Sequence, residues 1–214
     1  MKMIRIITFL LPLTMAFLNS TAQDPQADKI LKSLRDKTLA YQTIQADFTY
    51  TVTSPGQELN ESFSGILYIK GDSYRLSIAG QLVICDGETT WTYLEDAQEI
   101  QINSVEDEAE SLTPSKIFTS VFEDYNSDYL GEYVQDGRTL QRIGLTPGKN
   151  KPYSKIILGI DKSKPEIVQF DITDKSGNTY AYHITRFLVN IAVGDDQFTF
   201  NQNAFPDAEI IDMR

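Results

Sequence analysis

From Ile44 to Thr53 the chain alternates strictly. Ile44, Ala46, Phe48, Tyr50 and Val52 are separated by Gln45, Asp47, Thr49, Thr51 and Thr53. A period of two predicts a strand with one dry face and one wet face. Pro55-Gly56 turns the chain into a second strand over residues 59–70. Short β-branched or aromatic runs follow: Tyr74 to Ile78, Leu82 to Cys85, and Trp91 to Tyr93. Gly71-Asp72, Gly80, Asp86-Gly87 and Asp96-Ala97 punctuate them, which is how consecutive antiparallel hairpins read. A second series is predicted over residues 129–135, 139–146, 153–161, 166–173 and 180–190. Two short strands, 197–200 and 209–211, finish the chain.

Two stretches carry a helical period instead. Asp24-Pro25 supplies an N-cap acceptor and a proline at the first helical position. Ile30, Leu31, Leu34 and Leu39 then form one apolar face, predicting a helix over residues 25–40. Between Ser104 and Tyr125 the β pattern breaks. Glu106, Asp107, Glu108 and Glu110 make an acidic stretch, read as a solvated loop. Thr113-Pro114 repeats the cap-and-proline start, and Ile117, Phe118, Val121, Phe122 and Tyr125 follow as an apolar stripe. The fold class is therefore mainly β (α+β): one strongly curved antiparallel meander with helices against one face.

The first residues do not belong to that fold. Lys2 and Arg5 precede an apolar run from Ile6 to Leu18, too short to span a membrane, and Ser20-Thr21-Ala22 offers a cleavage site. Residues 1–22 are expected to be a signal peptide. Residues 23–214 are expected to form a single exported, unanchored domain, a monomer. The 214 residues hold 19 basic and 30 acidic side chains, a net charge of −11. Without Lys2 and Arg5 it is about −13, a surface that repels nucleic acid and anionic headgroups.

Candidate chemistry is sparse. The lone cysteine, Cys85, excludes an internal disulfide and reads as a small buried hydrophobe. No Gly-x-Ser-x-Gly elbow is present; Gly71-Asp72-Ser73-Tyr74-Arg75 fails at its last place. The single histidine, His183, could serve a Cys85 nucleophile only if folding brought the two within hydrogen-bond reach. We therefore expect no catalytic residues, no metal and no cofactor. A meander with aromatic faces and no catalytic apparatus points to a surface or cavity that holds something apolar.

The order of these pieces is similar to that of the periplasmic outer-membrane lipoprotein carriers of Gram-negative bacteria, the LolA-like family. The resemblance rests on the signal peptide, the capped helix, Ile44-Gln45-Ala46-Asp47-Phe48, the run Phe63-Ser64-Gly65-Ile66-Leu67-Tyr68-Ile69-Lys70, Asp86-Gly87 before Trp91-Thr92-Tyr93, and Phe198-Thr199-Phe200. It covers nearly all of the mature chain. It implies an incomplete β-barrel whose apolar hollow receives acyl chains beneath a helical lid. Phe48 then matches the family's buried aromatic in the first strand, and Trp91 and Tyr93 its aromatic pair after the turn. Tyr74 and Leu76 match large apolar positions on the strand after the lysine. Tyr50, Phe63, Leu67 and Ile84 complete the expected lining, and Ile117, Phe118, Val121 and Phe122 the lid. Implied partners are acylated lipoproteins or other lipids, an inner-membrane release complex and an outer-membrane acceptor.

One departure is visible. Where the best-studied members of that family carry Arg-Pro after the lysine, with the arginine tied to lid closure and cargo release, this chain reads Gly71-Asp72. The physical demand for a carrier is plain all the same. Each acyl methylene withdrawn from water is worth roughly 0.8 kcal/mol, so free lipoproteins do not cross an aqueous compartment. Two readings remain open from sequence: a carrier with a hollow, or a lipid-binding sensor or structural module of the same fold. Alternation alone fits a filled core as well as a hollow one.

Overall fold

The computed structural model describes residues 24–56, 60–106, 117–118, 125–148 and 151–214. One helix, α1 (Pro25–Leu39), precedes a run of strands. These are β1 (Ile44–Thr53), β2 (Asn60–Lys70), β3 (Ser73–Ile78), β4 (Gln81–Cys85), β5 (Thr89–Leu94) and β6 (Glu99–Ser104). Later in the chain come β7 (Tyr125–Gln135), β8 (Arg138–Pro147), β9 (Tyr153–Asp161), β10 (Ile167–Asp174), β11 (Thr179–Val189) and β12 (Glu209–Asp212). They form one sheet in the order β12-β6-β5-β4-β3-β2-β1-β11-β10-β9-β8-β7. The ends of that order do not pair, so the sheet is an incomplete barrel.

The expected single meander is in fact two. β1 to β6 and β7 to β11 each run hairpin by hairpin, and the antiparallel pairing of β1 with β11 joins them. β7 lies at the opposite edge of the sheet from β6. Tyr125, expected on a helix, is the first residue of β7 and its hydroxyl bonds that of Tyr153. The strand expected over 197–200 is a 3₁₀ turn, Asp195–Phe198, because the chain there crosses the sheet rather than joining it. β12 does join, parallel to β6.

Two bulges set which side chains face inward. Phe187 and Ile184 are three apart, yet both belong to the core. The register of β11 against β1 jumps between Asp47 and Phe48, leaving Thr185 as the extra residue. That insertion resets the alternation. A matching jump in β10 against β9 lets Ile167 and Phe170 both face inward.

Helix α1 starts where the sequence places it. Asp24 accepts from the Gln26 N–H at 2.8 Å, and Pro25 needs no hydrogen-bond partner at that position. Ala27 and Leu34 are buried against the concave face, with Ile30 and Leu31 packed beside them. The helix is tied to the sheet edge as well, since the Tyr129 N–H donates to the other Asp24 carboxylate oxygen at 3.0 Å. α1 thus covers part of the concave face and leaves the rest to other residues.

Candidate functional site

What α1 leaves uncovered is a cavity of about 310 Å³ on the concave face. β1 contributes Phe48 and Tyr50, β2 contributes Leu67, and β3 contributes Leu76 and Ile78. From the other meander come Phe170 and Ile172 of β10 and Tyr182 and Ile184 of β11. These residues meet because Phe48 pairs with Ile184, Tyr50 with Tyr182, and Tyr182 with Phe170 across adjacent strands. Ile117 and Phe118, which are helical, close the cavity from outside the sheet, and the Phe118 ring stacks on Phe187 at 6.0 Å. Ala79 and Gln81, beside the β3–β4 turn, are exposed at its rim.

The wall is apolar and aromatic. Tyr182 lies in contact with Phe170 at 4.4 Å, Tyr50 at 4.8 Å and Phe48 at 5.8 Å between ring centroids. Burial pushes the Tyr182 phenol well above its ordinary range, with the neighbouring Tyr50 and Tyr180 adding to the effect, and burial raises Tyr50 too. Both stay neutral across the physiological range, so the described wall carries no charge. Two further hollows differ in kind: one of about 390 Å³ is lined by Lys29, Lys162, Gln26 and Gln141, and one of about 230 Å³ by Arg142, Asp171, Gln135 and Gln169. Of these three hollows, the concave cavity is the one walled by rings and branched aliphatics, the chemistry that suits an acyl chain.

The expected site residues divide. Phe48, Tyr50, Leu67 and Leu76 lie on the cavity wall, as do Ile117 and Phe118. Phe63 is half-buried beside the wall, stacked on Tyr50 at 6.3 Å. Tyr74 belongs to the core without reaching the cavity. Val121 and Phe122 lie outside the described residues, as do residues 1–23 and most of the acidic stretch.

Ile84, Trp91 and Tyr93 are a correction. Cys85 is in the core, so its neighbour Ile84 points to the other face of the sheet, and Trp91 is the residue paired with Ile84. That convex face has its own aromatic cluster. Trp91 stacks on Phe200 at 5.7 Å, Tyr93 lies 4.3 Å from Phe205, and Phe200 and Phe205 stack in turn. The chain after β11 crosses the convex side as a strap, and these rings hold it there. Lys70 pairs with Asp195 at the start of the crossing, and the Glu209 N–H donates to the Gln98 carbonyl near its end.

The Cys85–His183 pairing also fails. His183 is paired with Thr49 on the outer face of β11, four strand spacings from β4, a separation of about 19 Å. Cys85 is buried and accepts from the Gly87 N–H at 3.3 Å. Among the described residues no group of three or more His, Cys, Asp or Glu could hold a metal ion, and no helix is long and apolar enough to cross a membrane.

Sequence reasoning missed Ile78, Phe170, Ile172, Tyr182 and Ile184. Tyr180, Tyr182 and Ile184 carry the same period-two signal as β1. What the sequence lacks is the β1–β11 pairing, which alone brings them opposite Phe48 and Tyr50.

Residues 40–201 match the model of the outer membrane lipoprotein carrier protein family, LolA. The chain is 27% identical over 163 residues to the outer-membrane lipoprotein carrier protein of Chromobacterium violaceum, covering 74% of this chain and 76% of that one. It is 28% identical over 191 residues to an uncharacterised protein of Methanocaldococcus jannaschii, covering 86% of this chain. This chain spans about half, 54%, of that relative's length. Among solved structures, an uncharacterised conserved protein from Thermus thermophilus superposes with a TM-score of 0.59 at 13% identity, covering 87% of this chain and 99% of that one. The lipoprotein LppX of Mycobacterium tuberculosis gives 0.53 at 14%, covering 80% and 98%. At these identities the solved structures speak for the fold alone.

Proposed function

The chain belongs to the outer membrane lipoprotein carrier family, and from that premise we propose that it holds the acyl chains of lipoproteins in the concave hollow and escorts them through the periplasm toward the outer membrane. The observation that carries this reading is the unfilled apolar cavity bounded by Phe48, Tyr50, Tyr182 and Phe170. Residues left half-buried along a strand's inner face, in a fold able to bury them, leave transfer energy to be gained by a guest. The same emptiness favours carriage over a purely structural module of this fold, whose interior would be filled. Export by residues 1–22, and exchange with a release complex and an acceptor in the two membranes, belong to this proposal.

The hollow should suit such cargo because it is adaptable. Its wall is built from rings and branched aliphatics rather than from directional hydrogen bonds, so acyl chains of different sequence neighbours fit alike. Release then needs only a competing apolar site. Gly71-Asp72 takes the place of the arginine contact of the family. It forms a two-residue turn with Gly71 at φ +57°, the positive angle such hairpins require at their first central position.

The test is purification of the tagged protein from the exporting compartment, with mass spectrometry of whatever accompanies it. Acylated lipoprotein or lipopeptide is expected. Phe48→Glu should lose it with the fold retained by circular dichroism, whereas Trp91→Glu should keep it, since Trp91 faces away from the hollow. Wild-type protein that returns no acylated species, or Phe48→Glu protein that carries cargo normally, contradicts the reading.

A further inference from the structure

Gly65 of β2 lies opposite Phe48 of β1 on the inner face of the sheet. The outer edge of the Phe48 ring rests directly on that bare backbone. A Cβ on residue 65 would stand 2.4 Å from the ring's Cζ, 2.8 Å from Cε2 and 3.0 Å from Cε1. No real pair of carbons sits so close, so any larger residue at 65 must lift the ring by about 1 Å or more. The ring has little freedom to slide away sideways, because Tyr182 leans on it at 5.8 Å. Upward, into the hollow, is the open direction.

The cavity also has a polarity of depth. Phe48, Leu67, Phe170 and Ile184 are buried parts of its wall, while Ala79 and Gln81 are exposed at its rim. Gln81, Ile78, Gly65 and Phe48 stand in one row across β4, β3, β2 and β1, so an acyl chain entering past Gln81 along that row meets the Phe48 ring. A cavity of roughly 150 Å³ lined by Leu, Ile and Phe takes up benzene, six carbons. By that measure 310 Å³ takes about twelve.

We propose that Phe48, seated on Gly65, is the depth gauge of the hollow, and that the protein in this conformation takes one acyl chain to about a dozen carbons. This rests on the carrier reading and narrows it: the unit of recognition is a single saturated chain end, and longer or additional chains remain outside the rim unless the hollow widens. Gly65 is a specificity-determining position although it offers no side chain to the ligand.

Saturated fatty acids of about eight to eighteen carbons, competed against a fluorescent acyl probe, read the gauge directly. In the wild-type protein each methylene should tighten binding about fourfold up to about twelve carbons, after which affinity levels off. In Gly65→Ala the plateau should arrive about two carbons earlier, so that the eight-carbon acid binds as before and the twelve-carbon acid about sixteenfold more weakly. Phe48→Leu, which removes the ring and keeps the wall apolar, should move the plateau to longer chains. That second variant decides the matter if Gly65→Ala does not fold. A plateau unmoved in the folded variants, or wild-type affinity that climbs steadily to eighteen carbons, overturns the gauge and leaves the carrier reading standing. Absence of binding at every length overturns both.

Discussion

Asp24 accepts from the Gln26 N–H through one carboxylate oxygen and from the Tyr129 N–H through the other, while its own N–H donates to the Ser127 carbonyl. One residue thus caps a helix and covers part of a sheet edge that would otherwise present unpaired amides. The Tyr129 amide above all, and then that of Gln26, hold its carboxyl below the ordinary value of 3.8. A carboxylate with a depressed pKa in the folded state adds stability above its unfolded value, and that contribution disappears as pH falls through the folded value. Asp24→Asn should therefore lower the melting temperature at neutral pH and narrow the gap to wild type as the pH drops below 3.8. Melting curves across that range check it, and a gap that does not change with pH would mean that the charge contributes nothing. The same residue shows how far sequence reading reaches. Asp24-Pro25 announces the cap, but the bond to Tyr129 joins residues 105 apart in the chain and leaves no local trace.

The elements divide into two packings separated by the sheet. On the concave side α1, Ile117 and Phe118 face the inner residues of both meanders. On the convex side the C-terminal strap covers Ile84, Ile100 and Trp91 and buries its own Phe198. Phe198→Ala should cost about 3–5 kcal/mol of stability in urea unfolding, as ring deletions at buried sites do, yet leave acyl binding by the still-folded protein unchanged. Lost binding at a denaturant-free, folded condition would show that the two faces are coupled. Strand positions were legible because each is a short run between turn residues, and β9 was read to the residue. Faces were less legible. Within β4, Leu82, Val83, Ile84 and Cys85 are all apolar, so alternation is silent; in β5 Trp91 and Tyr93 alternate with Thr90 and Thr92, yet the aromatic face is the one turned to the strap. The bulges at Thr185 and in β10 bring Phe187 and Ile167 to the face of Ile184 and Phe170, from which a strict period of two would separate them.

At the scale of the molecule, twelve described strands curve without closing, so the barrel keeps a mouth and an interior that side chains do not fill. A net charge of −11 disfavours contact with anionic bilayers and with nucleic acid. The account turns on which side of the sheet the acyl chain occupies, and the protein carries its own reporter. Trp91 is the sole tryptophan and lies on the convex face. A fatty acid brominated near its methyl end quenches indole emission only on close contact. Titrated into the native protein, it should displace a fluorescent acyl probe while Trp91 emission stays constant. In the double variant Phe48→Trp, Trp91→Phe, the same titration should extinguish the new tryptophan with the same midpoint. Quenching of Trp91 in the native protein, or an undimmed tryptophan at position 48, would contradict the concave hollow as the site of carriage.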